Sequence, residues 1–189
     1  MRPLLVLVCL LAALPCAAQR DFLTAAEVDQ LREVQEPNAR LQLYVGFAKE
    51  RVALLQQLVA KEKAGRGGMI HDVLDEYSQI IDAMDTVSDD ALRRRVPLDT
   101  GTKAVAEGEK EMLASLTKIS ESKPKDLDIY RFALDQAISA TQDSLELAQE
   151  DLKTRAADVQ AEEAKEKKER EALMRPEEVE AKRAAQKKE

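Results

Sequence analysis

The stretch "AGRGGMIHDVLDEY", residues 64–77, carries the chain's only histidine, three of its six glycines and three acidic side chains. His71 and Asp75 are four residues apart, so on a helix they share a face and could hold a cation between them, with Asp82 on the same side. One imidazole with carboxylates is a poor donor set, because firm transition-metal sites use more nitrogen or sulfur ligands. A helix starting near Met69 would centre its apolar stripe near Leu74, Tyr77 and Ile81, and at about 100° per residue His71 then points roughly 140° away from it. His71 is therefore expected as a surface histidine in an acidic first turn, with Asp72 favourably placed there. Gly65, Gly67 and Gly68 are expected to supply positive-φ positions for a tight reversal. They follow a helix and precede no Gly-Lys-Ser/Thr, so they do not form a phosphate loop.

Other chemistry fails on counts. Cys9 and Cys16 are the only cysteines, and both lie in the N-terminal leader described below. A thiolate nucleophile, a disulfide and covalent haem attachment are thus excluded from the processed chain. A carboxylate-bridged di-iron bundle needs two histidines. A serine triad would have to use His71 as its base, and a haem on His71 with Met84 or Met112 would need that histidine to face inward. No catalytic residue and no cofactor are expected, and His71, Asp75 and Asp82 remain the only metal candidates. Nucleic acid is disfavoured by charge: 36 acidic residues face 29 basic ones, a net of −7, and Arg2 among the latter lies in the leader. Tyr44, Phe47, Tyr77, Tyr130 and Phe132 all fall on or beside apolar stripes, leaving no platform for stacking bases.

The chain opens Met-Arg-Pro, then an apolar run of 11 residues, "LLVLVCLLAAL", then "PCAAQRD". This has the form of an export signal cleaved after Ala18, which predicts a periplasmic or extracellular protein. The run is shorter than the roughly 20 residues of a spanning helix, and no second one follows, so no transmembrane span is expected. Acylation at Cys16 would instead give a lipid anchor, but Pro15 breaks the small-residue pattern that precedes an acylated cysteine.

Beyond the leader, prolines and glycines cluster at a few positions, and the intervals between them have a helical period. Thr24-Ala-Ala-Glu27 is a capping-box pattern opening a short helix to about Gln35, and Pro37 suits the first turn of the next. From Pro37 to about Lys63 the seam runs Leu41, Val45, Ala48, Val52, Leu55, Val59, widened by Phe47, Leu54 and Leu58. From Met69 to about Arg94 it runs Ile70, Leu74, Tyr77, Ile81, Met84, with Met69 read as core filler. Between about Thr102 and Ser120, Val105, Met112, Leu116 and Ile119 face inward. A last long helix from Lys125 to about Arg155 presents Leu127, Leu134, Ile138, Leu145, Ala148 and Leu152. Lys61, Lys63 and Arg93 to Arg95 sit at helix ends, where cations complement the dipole.

Short links between these helices predict consecutive antiparallel neighbours: an all-α, up-down four-helix bundle over residues 19–155 with a short N-terminal helix. In general class this resembles exported helical-bundle proteins of bacterial type. Residues 156–189 form a charged helical or partly disordered extension; from Ala161 on it holds nine acidic and nine basic residues, with Glu-to-base pairs such as Glu163 and Lys167 at i,i+4. The expected function is that of an exported non-enzymatic scaffold, adaptor or chaperone-like binder, meeting a protein partner or a second copy of itself through helix surfaces. The alternative is a ligand or metal-ion carrier using the acidic rim around His71, Asp75 and Asp82.

Overall fold

The computed structural model describes residues 21–61, 63, 65–150 and 152–173. The leader expected at 1–18, with Cys16, and the part of the extension beyond residue 173 lie outside them. Among the described residues the protein is all-helical: α1 (Ala25–Glu33), α2 (Pro37–Ala60), α3 (Gly67–Arg93), α4 (Asp99–Glu121), α5 (Leu127–Gln149) and α6 (Leu152–Leu173). Among the described residues no helix is long and apolar enough to cross a membrane.

Local chemistry sets the early boundaries. The Thr24 hydroxyl accepts from the Glu27 N–H at 3.3 Å, and the Thr24 N–H donates to Glu27 Oε2 at 2.6 Å, closing the capping box. Glu36 is held extended by the following proline, and its carboxylate accepts from the N–H groups of Asn38 and Ala39 at the start of α2. The α3 C-terminus closes through Arg95, which takes a left-handed φ of 58°; its N–H donates to Leu92 and that of Val96 to Ala91. These two bonds satisfy carbonyls that the helix end leaves open. Arg93 alone of the arginine run lies in the last helical turn.

The predicted seams of α2, α3 and α4 are buried at Leu41, Val45, Ala48, Val52 and Leu55, at Ile70, Leu74, Tyr77, Ile81 and Met84, and at Val105, Met112, Leu116 and Ile119, while Val59 at the end of the α2 seam is half-buried and Leu54, expected to widen it, is exposed. With Leu127, Tyr130, Leu134 and Ala137 of α5 they form one apolar core. Complete burial of one such aliphatic side chain stabilises by about 1.5–3 kcal/mol.

The helices do not all neighbour one another in chain order. The two hairpins do: α2 packs on α3, and α4 on α5. The remaining broad contacts join α2 with α4 and α3 with α5, so consecutive α3 and α4 sit across a diagonal. Gly101 and Gly108 of α4 lie against Leu41 and Val45 of α2, which makes that pair parallel; Tyr77 and Asp85 of α3 reach Thr141 and Ser144 of α5 in the same sense. Asn38 explains the crossing. Its Nδ2 donates to Pro97 O at 2.9 Å and its Oδ1 accepts from Gly101 N at 2.8 Å, so the first turn of α2 grips the α3–α4 link and supplies the cap that Leu98 cannot.

Gly101 is fixed by that grip, since a Cβ there would fall 2.8 Å from Leu41 Cδ1 and 3.1 Å from the Asn38 Cα. Gly101→Ala is expected to lower stability by about 1–3 kcal/mol through overpacking. That exceeds the up to ~1 kcal/mol by which alanine favours a helix over glycine. Urea titration followed by circular dichroism measures the balance, and an unchanged or raised midpoint would contradict the packing account.

Several expectations need correction. α3 begins at Gly67, so Asp72 is not in the first turn, and of the three glycines only Gly65 has positive φ, at 84°. Gly67 is needed for closeness instead, because Ile129 of α5 lies against it where a Cβ would be 2.8 Å away. Met69 is 57% exposed and fills no core. Phe132 is 79% exposed on the outer face of α5, one turn from the exposed Ile129. The last helix is two: Glu150 adopts an extended ψ of 151°, ending α5 before α6 starts, although neither proline nor glycine marks the place. Ile138, Leu145 and Ala148 are only half-buried, while Thr141 and Ser144 take the inward positions.

Candidate functional site

The polar side chains that matter most are inside. Where α3, α4, α5 and α6 meet, the seam of α4 places Glu109 between Val105 and Met112 at the same three-four spacing, and the seam of α5 continues from Leu134 and Ala137 to Thr141 and Ser144. Tyr77 donates to Thr141 Oγ1 at 2.7 Å, because the single Thr141 proton goes to Ala137 O, also at 2.7 Å. Ser144 donates to Asp85 Oδ1 at 2.9 Å. The guanidinium of Arg155, buried although it comes from α6, donates to Asp89 Oδ1 at 2.9 Å and stands 3.9 Å from Asp85 Oδ1.

Glu109 lies within this layer, fully buried, with neither carboxylate oxygen hydrogen-bonded. Burial pushes its pKa up to about 8; Asp85 reinforces the rise, while Ser144 and Arg155 oppose it. A carboxylate deprived of water and donors favours its neutral form, so Glu109 holds a proton at neutral pH. Asp85 is raised for the same reason, burial, with Asp89 and Asp82 adding to it and Ser144 and Arg155 working against it. Burial likewise pushes Tyr77 far above the usual phenol range. The layer thus sets one buried carboxyl whose neutral form is favoured, that of Glu109, near one buried cation, Arg155.

A second buried charge cluster ties α1 to the long helices. Arg51 of α2 makes a bidentate pair with Glu27, 2.6 Å from Oε1 and 2.9 Å from Oε2, and donates to Glu76 Oε2 at 2.9 Å and to Phe22 O at 3.0 Å. Burial works to raise the Glu27 pKa, but the hydrogen bonds from Arg51 and Thr24 outweigh it and the net shift is downward.

The rim predicted from sequence is in place but sparse. His71 Nδ1 is 3.2 Å from Asp75 Oδ2, with the side chains 41% and 50% exposed, and Asp82 lies on the exposed surface. Among the described residues no three His, Cys, Asp or Glu side chains gather as a metal-binding set. A pair this exposed contributes about 0–1 kcal/mol. His71→Ala is accordingly expected to move the unfolding free energy by no more than about 0.5 kcal/mol, read from thermal melts; a larger loss would mean that the pair is coupled to something deeper.

Reading the sequence for apolar residues passed over Glu109, Thr141, Ser144, Arg155 and Arg51. The signal that could have found the first three is spacing alone, since they occupy positions on the seams that continue the apolar ones. The class these features define is an all-helical protein with a buried polar layer in its core. No protein-family model matches the chain, and no curated protein or solved structure is significantly similar to it.

Proposed function

We propose that this is an exported, non-enzymatic adaptor that engages a protein partner through α6, with α2 to α5 as a bundle of helices alternating in direction that serves as its base. The leader at residues 1–18 supports export to the periplasm or the extracellular space. The observation that carries the reading is the way α6 is rooted. Arg155 is sunk between Asp85 and Asp89 and Val159 packs partly against the core, whereas every residue from Gln160 to Arg170 is exposed. Those eleven residues extend about 16 Å at 1.5 Å each. They carry Glu162, Glu163, Glu166 and Glu169 among Lys165, Lys167, Lys168 and Arg170, a mixed surface suited to a partner helix with complementary charges.

Affinity capture from envelope fractions with the whole protein, with a chain ending at Arg155, and with Lys165, Lys167 and Lys168 all changed to Glu tests this. The same partner should be retained by the first and lost, or bound at least about tenfold more weakly, by the other two. An identical partner set in all three would refute the reading. The alternative, a metal-ion carrier at His71, Asp75 and Asp82, rests on the single 3.2 Å approach of His71 to Asp75. Calorimetry with zinc, copper and calcium decides it, and the absence of heat removes it.

A further inference from the structure

At the end of the bundle where α2 finishes and α3 and α5 begin, a half-open depression of about 170 Å³ is lined by Lys63, Arg66, Gly67, Lys125, Asp126 and Tyr130, with apolar side chains below. Two features there favour an anion. Three cationic side chains face one carboxylate. The α3 N-terminus opens on the depression, and its N-cap residue, Arg66, provides no side-chain cap, so the positive end of the helix dipole is left to whatever occupies the space. Among the described residues Arg66 itself makes one long bond, 3.5 Å to Leu58 O.

Tyr130 adds a buried polar group at the same place. It is completely buried, yet its hydroxyl has no hydrogen-bond partner, an arrangement that costs free energy unless something supplies one. Helical side chains lean toward the N-terminus of their helix, which carries the Tyr130 ring toward Pro124 and Asp126, the other residues of that wall. The hydroxyl is close enough to Asp126 for that carboxylate to add to the rise that burial imposes on the phenol. A phenol in the wall, a guanidinium and an ammonium from the lining and N–H groups from a helix end are donors that a tetrahedral oxyanion satisfies together. The volume is several times the ~30 Å³ taken by a water molecule, enough for such an ion with part of its hydration.

We propose that this depression is a binding site for a phosphate-like dianion, free or as the terminal phosphate of a small molecule. It stands apart from the α6 reading and does not depend on it.

Calorimetry on the purified protein with inorganic phosphate, sulfate and glycerol phosphate, against chloride at matched ionic strength, tests the proposal. Saturable binding and a rise in melting temperature with ligand concentration are expected. Arg66→Gln and Lys63→Gln, both at exposed or half-exposed positions, should weaken binding about tenfold each, and Tyr130→Phe severalfold without loss of thermal stability. Asp126→Asn, which keeps a side chain tolerant of the left-handed φ of 63° found there, should tighten it. Binding of glycerol phosphate as tightly as phosphate would point to a phosphorylated small molecule, and preference for the inorganic ion to free phosphate; either supports the site. No heat with any of the three anions would overturn the proposal. So would binding unaffected by Arg66→Gln, Lys63→Gln and Asp126→Asn, which would put the anion elsewhere.

Discussion

Raising the pH from about 4.5 to about 8 is expected to destabilise the protein by roughly 4 kcal/mol through Glu109 alone. In the unfolded chain this side chain ionises near 4.5, and in the folded protein near 8. Between those values the folded state holds a proton that the unfolded state has released, so stability falls with each unit of pH. The contribution is whole below the unfolded value and gone once the pH passes the folded one. Asp85, also shifted upward, acts in the same sense. Denaturant titrations across this range read the slope directly. Glu109→Gln keeps the shape and removes the charge, so its curve should be flatter and should lie above that of the parent at pH 9. Parallel curves for the two proteins would show that Glu109 is not the group responsible.

Arg51→Met is the second large effect, expected to cost about 3–5 kcal/mol because it strands the Glu27 carboxylate in a buried position without its bidentate partner. Glu76, more exposed, can turn to water. Pairing the change with Glu27→Leu should recover most of the loss, since replacing both ions by apolar groups removes the uncompensated charge. Urea midpoints for the two single variants and the double complete a mutant cycle. Hydrogen exchange should show α1 as the first element released in Arg51→Met. Additive losses in the double variant would mean that the two side chains do not act as a pair.

The elements that sequence made legible are those whose inward positions are all apolar. On α2, α3 and α4 the alternation of four and three residues marks the buried faces, and Thr24, Pro37 and the arginines after Leu92 mark helix ends by their local bonding. On α5 the same habit of following large aliphatic residues drifts off the true face, toward Ile138 and Leu145, just where the seam turns to Thr141 and Ser144. Glu109, Asp85 and Arg155 each look like solvated charges until the partner arrives from another helix, and no local pattern encodes that meeting. The break at Glu150 is of the same kind: it bears no helix-breaking residue, and what accompanies it is the long-range seat of Arg155 on α3. The outward turn of Phe132 has no local signal, because an aromatic in a helix is ordinarily a core residue.

The diagonal step from α3 to α4 divides the molecule into two halves along the chain, one hairpin from Pro37 to Arg93 and another from Asp99 to Gln149. Contacts within each hairpin close over short stretches of chain and can form early, whereas docking of the hairpins joins residues some sixty apart, as Tyr77 and Thr141 are. The buried polar layer straddles this divide: Tyr77 and Asp85 belong to the first hairpin, Glu109, Thr141 and Ser144 to the second. Loss of the Glu109 proton therefore acts on a joint rather than on a helix. Alkaline conditions should loosen the protein by parting two intact hairpins, with Asn38 and its hold on the crossing link as the hinge that remains.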